Sequence, residues 1–301
     1  MNLLEVGGLT KRFGANAAVD GLSFAISQGR CMALLGPNGA GKTTTLKMLS
    51  GLLEPSSGTI RFIGEARADI RESIGYLPQY PSFFNWMSGK EFLEFTAKLA
   101  RIPAKEAASR AKELLERVGL KDAAKRKISG YSGGMKQRLG LAQAVIHRPK
   151  LLILDEPVSA LDPQGRREVM ELLKEMKRET TILFSTHILH DAEEISDDVM
   201  IMDRGHIVVE GDLQQLMRDH GKPQIRIKVG NADPAWVQGL RDRPFVREFE
   251  FALGLITLQV TNLHEARESL FREFVDQGLE IEGFEMGQTT LEDLFMKAVQ
   301  A

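Results

Sequence analysis

Over roughly the first 215 residues, short apolar or β-branched runs alternate with stretches in which apolar residues recur at helical spacing. The runs Cys31–Leu35, Leu151–Leu154, Thr181–Phe184 and Asp198–Met202 predict buried strands. The helix after Asp162 is the best specified. Asp162 suits the N-cap, Pro163 the first helical position, and Val169, Leu172, Leu173 and Met176 form one buried stripe. A mainly helical stretch, about 88–147, interrupts the alternation. It holds predicted helices at Lys90–Leu99, Ala104–Val118 and Gly133–His147, the last stopped by Pro149. This layering predicts an α/β fold.

Near Gly221–Pro223 the rhythm changes. Gln224–Val229 alternates as a strand and Pro234–Leu240 reads as a short helix. Phe245–Phe251 and Leu255–Thr261 form a hairpin around Ala252–Gly254, with Leu253 at its centre. An amphipathic helix at Leu263–Gln277, a strand at Leu279–Met286 and a helix at Leu291–Val299 follow. The order βαββαβ with a final helix predicts a small α+β domain of ferredoxin-like type over 222–301, after a domain covering 1–220.

Composition narrows the classes. Hydrophobic residues make up 43% and charged residues 27%, which describes a globular protein with a proper core. The net charge of −2 gives no basic field for nucleic acid, so none is expected as partner. No apolar run reaches the ~18 residues of a membrane span. The N-terminus has no basic start and reaches Glu5 early, so no signal peptide is expected and the expected location is the cytoplasm. One cysteine, Cys31, excludes an internal disulfide and reads as a buried thiol.

The chemistry begins at Gly36-Pro-Asn-Gly-Ala-Gly-Lys-Thr43, which matches the phosphate-loop pattern G-x-x-x-x-G-K-[ST] between a strand and a helix over Lys42–Leu53. Such a turn leaves backbone N–H groups converging at the positive end of the helix, where a triphosphate fits. Gly36, Gly39 and Gly41 permit the close approach. Lys42 supplies a point charge for the β- and γ-phosphates, and the Thr43 hydroxyl suits Mg²⁺. Leu151–Leu154 runs into Asp155 and Glu156. Ligands of open α/β sheets sit beyond the carboxyl ends of the strands, so Asp155 can enter a Mg²⁺ shell and Glu156 can polarise a water for in-line attack. The strand Thr181–Phe184 ends in Ser185-Thr186-His187, bringing that imidazole to the same edge. Ser132-Gly133-Gly134-Met135 opens another helix and offers a second anion site. Two phosphate-binding helix starts and one triphosphate site are reconciled if two copies pair head-to-tail.

With these motifs in this order the chain, over about residues 1–215, resembles the ATP-binding subunits of ABC transporters. The resemblance implies a P-loop NTPase fold of the ABC ATPase type, with a helical subdomain at about 88–147. It implies ATP and Mg²⁺ as cofactors, and nucleotide contacts from the loop comprising Gly36, Asn38, Gly39, Ala40, Gly41, Lys42, Thr43 and Thr44. Further contacts come from Ser132, Gly133, Gly134 and Met135 of the second copy. Gln79 joins the Mg²⁺ sphere and relays nucleotide state to a membrane partner. Asp162, closing the loop Ser159-Ala160-Leu161-Asp162, couples the two sites, and Phe13 stands where the family stacks an aromatic on adenine. Glu156 and His187 are the expected base and switch residue. Tyr131 replaces the family's usual Leu and Met135 its usual Gln, while Ser132 and Gly134 are intact.

The C-terminal region, with Thr290-Leu-Glu-Asp-Leu-Phe295, is similar to the accessory domain of some bacterial exporter-type subunits, which leans the expectation toward export. The expected partners are a polytopic permease and a second copy of the chain, with attachment to the inner face of the membrane through the permease. A soluble ATPase of the same family acting on ribosomes or DNA is the alternative expectation. The aromatic run Tyr80–Met87, directly after Gln79, is readable as a dock for a helix of the membrane subunit or as packing for its own helical subdomain.

Overall fold

The computed structural model describes residues 1–64, 69–159, 161–220, 222–231, 233–252, 254–288 and 290–300, with the side chains at 220, 231, 288 and 300 left out. Ala160, Gly221 and Leu253, named above, lie outside the described residues. Contacts divide the chain into two compact units, Met1–Leu213 and Gln214–Ala301.

The first unit begins with β1 (Asn2–Phe13), β2 (Asn16–Ser27), β3 (Cys31–Leu35), α1 (Lys42–Leu49), β4 (Ser57–Phe62) and β5 (Ile74–Leu77). The helical segment follows as α2 (Gly89–Leu99), α3 (Ala104–Arg117) and α4 (Gly133–Val145). It leads into β6 (Leu151–Asp155), α5 (Pro163–Met176), β7 (Thr181–Thr186), α6 (Leu189–Ile195), β8 (Asp198–Asp203) and β9 (His206–Asp212). Helix α7 (Leu213–His220) spans the division between the units.

Among the described residues, one sheet has the order β5-β6-β7-β3-β8-β9, parallel except for β9. β3, β6 and β7 are buried along their whole length, as a parallel sheet covered on both faces requires. In that interior, burial pushes the Cys31 thiol up to about 12. A second, antiparallel sheet, β2-β1-β4, packs its apolar side (Leu4, Leu9, Ile26) against Leu34, Leu46 and Met200 in one core. In the parallel sheet β7 pairs with β6 on one side and β3 on the other, so three adjacent strand ends open on one edge.

Two helices stop two or more residues short of their apolar patterns. α1 ends at Leu49 rather than Leu53, because Gly51 turns the chain at φ +69°. α4 ends at Val145 rather than His147, ahead of a left-handed Arg148 and Pro149. A capping box, Ser88 with Glu91, sets the start of α2. The aromatic run divides its labour. Phe83 and Phe84 pack edge-on against Phe92 of α2, while Tyr80 and Trp86 stay exposed.

The second unit holds β10 (Pro223–Asn231), α8 (Pro234–Gly239), β11 (Val246–Ala252), β12 (Leu255–Val260), α9 (Leu263–Asp276), β13 (Glu280–Gln288) and α10 (Leu291–Gln300). Its antiparallel sheet has the order β11-β12-β10-β13, the arrangement of a ferredoxin-like βαββαβ unit. Ile225, Ile227, Ile256 and Leu258 face Trp236, Leu270 and Phe274 of the helices.

Candidate active site

The edge where β3, β6 and β7 end carries an open cavity of about 540 Å³. The turn after β3 builds one wall. Gly41 sits at φ +102° as the N-cap of α1, and a Cβ there would lie 2.5 Å from the Ala18 carbonyl oxygen. A Cβ on Gly36 would lie 2.4 Å from the Met202 carbonyl. Both positions therefore demand glycine. α1 has no side-chain cap and no acidic residue in its first turn, so its leading N–H groups remain available to an anion. Asn38, Gly39, Ala40, Thr43 and Thr44 line the cavity with them.

Lys42 is buried and its ammonium donates to the carbonyls of Gly36 (2.7 Å) and Pro37 (3.1 Å), folding the side chain back over the turn. Burial lowers its pKa, while the carboxylates of Glu156 and Asp155 pull it upward. A γ-phosphate would answer that burial with a counter-charge.

The end of β6 supplies the acids. Thr43 Oγ1 donates to Asp155 Oδ1 at 3.1 Å, and Ser185 Oγ donates to the same oxygen at 2.8 Å. The next residue, Glu156, takes φ +47°, a left-handed conformation uncommon outside glycine. Its N–H donates to Ser185 Oγ at 3.0 Å, so one hydroxyl from β7 fixes both acids. The turn places the Glu156 carboxylate against His187, whose Nδ1 lies 3.0 and 2.9 Å from its two oxygens. Gln79, in the loop after β5, reaches the same cavity and donates from Nε2 to Ser159 Oγ at 3.5 Å. Asp155 and Thr43 form a pair of hard oxygen donors, the kind with which Mg²⁺ is held when phosphates and water complete its shell.

Not every expected site residue lines this cavity. Phe13 is 54% exposed at the end of β1, its ring 5.4 Å from Lys11 Nζ. Ser132 caps α4 by accepting from the Met135 N–H, with Gly133 and Gly134 in the first turn, again without an acidic residue there. Asp162 caps α5 by accepting from the Gly165 N–H at 2.9 Å. None of these lines the cavity of their own chain. From the sequence Ser185 was named only as part of the run into His187, with no role, although its place two before His187 was a usable signal; Tyr76 was not named at all. Burial and the Asp155 carboxylate push the Tyr76 phenol up to about 12.

A phosphate turn after β3, acids ending β6 and a histidine ending β7 define the class as a P-loop NTPase. The family model described as "ABC transporter" matches residues 19–159. The model described as "ATP-binding protein DrrA1-3-like, C-terminal domain" matches residues 211–299. The chain is 45% identical over 300 residues to "Uncharacterized ABC transporter ATP-binding protein YxlF" of Bacillus subtilis (strain 168), covering 99% of this chain and 100% of that one. It is 34% identical to "Daunorubicin resistance ATP-binding protein DrrA3" of Streptomyces coeruleorubidus, covering 97% and 94%. A solved "Structure of ATP binding subunit of ABC transporter" superposes with a TM-score of 0.65 at 32% identity, over 72% of this chain and 92% of that one.

The chain belongs to the ABC transporter ATP-binding proteins. It is an ATPase that energises transport through a membrane permease, and proteins of this family work with such permeases and dimerise. Among the described residues no helix is long and apolar enough to cross a membrane.

Proposed function

We propose that the chain drives export, and that the residues around the 540 Å³ cavity carry ATP hydrolysis. The observation that carries the reading is the Glu156–His187 contact at 2.9 Å, beside a buried Lys42 and the Thr43–Asp155 pair. The N–H groups of the turn, with Lys42, hold the β- and γ-phosphates. Glu156 accepts a proton from a water as its oxygen attacks the γ-phosphorus and the bond to the ADP oxygen breaks. His187 orients Glu156 and donates to the γ-phosphate, stabilising the charge that develops there. Thr43 and Asp155, with Gln79, hold Mg²⁺, which neutralises phosphate charge when bound. Phe13 offers its ring to adenine. Ser132, Gly133, Gly134 and Met135 complete the site from a second copy in a head-to-tail pair, with Asp162 joining the two sites. The lack of these groups from the chain's own cavity supports that pairing.

The division at about 221, with an accessory domain over 222–301, belongs to the same reading. So does attachment to the cytoplasmic face of the membrane through the permease. Export is supported by the C-terminal match and by relatives whose names are those of drug resistance. Affinity purification from detergent-solubilised membranes, with partners identified by mass spectrometry, tests it. A polytopic export permease in near-stoichiometric amount is expected. Recovery of ribosomes, DNA or an importer's permease would overturn it.

A further inference from the structure

Glu156 occupies a turn that its own sequence does not favour. Its φ of +47° is left-handed, and the next residue is Pro157, whose ring restricts the backbone before it. A conformation carrying both penalties persists only where its surroundings over-determine it. Ser185, Ser159 and Gln137 supply that hold. The Glu156 N–H donates to Ser185 Oγ on β7 at 3.0 Å. The Glu156 carbonyl accepts from Ser159, from its N–H at 3.3 Å and from its Oγ at 3.2 Å. Gln137, in the second turn of α4, donates from Nε2 to the Pro157 carbonyl at 2.8 Å.

Gln137 differs from the two serines. Ser185 and Ser159 belong to the strand end and the loop that carry the site, whereas Gln137 reaches the turn from the helical segment. It is 7% exposed and lies outside the lining of the ATP cavity. Burying an amide forfeits its hydration, and here the Pro157 carbonyl is what it meets instead. That carbonyl belongs to a buried residue, so removing the donor strands a dehydrated acceptor one peptide bond from Glu156. α4 meets the same loop at a second point: a Cβ on Gly134 would stand 3.9 Å from Leu161 Cδ2. One turn of this helix thus touches the loop after β6 at both Pro157 and Leu161.

We propose that Gln137 is a positioning residue for ATP hydrolysis: through the Pro157 carbonyl it holds the left-handed turn that aims Glu156 at the attacking water. It acts through Glu156 and touches no reacting group. The inference rests on Glu156 being the base. A side chain that only filled space there would serve as well without its N–H, since an unbranched apolar residue of the same length occupies the same volume. The donor is therefore the part of Gln137 on which hydrolysis depends, because a small displacement of a base costs far more rate than stability.

Single-turnover hydrolysis and equilibrium ATP binding by the full chain test it, in the parent, Gln137→Met, Glu156→Gln and the double variant. Methionine matches the length of glutamine and lacks the donor. Gln137→Met should slow hydrolysis ~10- to 100-fold, the scale of a displaced base, while ATP affinity changes less than ~3-fold. In the Glu156→Gln background the same substitution should change the residual rate by less than ~2-fold, because no base is left to position. A parent-like rate in Gln137→Met overturns the proposal. So does an equal fold-loss in both backgrounds, which would make Gln137 a packing residue only. If Glu156→Gln itself hydrolyses like the parent, the base reading has failed and the proposal falls with it. Thermal unfolding monitors each variant. Should Gln137→Met not fold, Gln137→Asn, equally polar but one carbon short of the carbonyl, carries the same expectations and the same refutations.

Discussion

Nδ1 of His187 lies against both carboxylate oxygens of Glu156, at 3.0 and 2.9 Å, while the Glu156 backbone is held in a left-handed turn by the Ser185 hydroxyl. The carboxylate is thereby aimed into the cavity by its neighbours rather than by its own flexible side chain. Glu156→Gln keeps the shape and a hydrogen bond to His187 but cannot accept a proton. Turnover should fall by ~10²- to 10⁴-fold with nucleotide affinity retained. Phosphate release and nucleotide binding, measured on the same preparation, check it. Parent-like turnover would remove Glu156 as the base.

Gly75 lies on β5 where α4 crosses. A Cβ there would come within 2.1 Å of the Ala144 carbonyl oxygen, a backbone atom that cannot swing aside. Gly75→Ala should therefore destabilise by ~2 kcal/mol, the usual cost of overpacking. Denaturant unfolding gives the number, and an unchanged midpoint would show that the strand and helix can separate without penalty.

Arg166 of α5 and Asp191 of α6 form a pair in which Nε lies 2.9 Å from Oδ1, with Asp191 1% exposed. Burial raises the Asp191 pKa against the pull of Arg166. Asp191→Ala leaves the guanidinium without its partner and should cost ~3 kcal/mol, whereas Arg166→Met with Asp191→Leu should regain most of it. A double-mutant cycle by unfolding decides between this and simple additivity, which would mean the pair contributes nothing as a pair.

Burial lowers the pKa of His147, opposed by its contact with the Ile74 carbonyl at 3.1 Å and assisted by nearby Arg110. The folded state then binds fewer protons than the unfolded state just below the ordinary value of 6.5. Stability from this group is full above that value and is lost as pH falls through it toward the lowered folded pKa. Urea midpoints of the parent should drop between about pH 7.5 and about pH 5.5, and His147→Gln should flatten part of that drop. An identical drop in the variant would assign the effect to other groups.

The phosphate turn, the acids after β6 and His187 were readable because each joins a continuous apolar run to a short polar signal. Parallel strands buried on both faces write such runs directly. The C-terminal βαββαβ order was readable for a related reason: Gln224–Val229 alternates polar and apolar residues, and Leu263–Asp276 carries an amphipathic helical pattern. The sheet β2-β1-β4 was not. β1 carries three register shifts against β4 and β2 around Gly7, Gly8 and Leu9, and such irregularities blur the two-residue period. Nor does a sequence show that one hydroxyl, Ser185, bonds both Asp155 and the Glu156 backbone. That relationship exists only once β6 and β7 are adjacent.

The thiol of Cys31 is shut inside β3 and resists ionisation, and the chain has no other cysteine. Maleimides react with thiolates, so the wild-type protein should stay unlabelled at neutral pH. A cysteine introduced at exposed Trp86 or Glu250 would be the sole point of attachment for a dye or spin label. Each unit can thus report its own motions during the ATP cycle in a protein whose native residues are otherwise untouched.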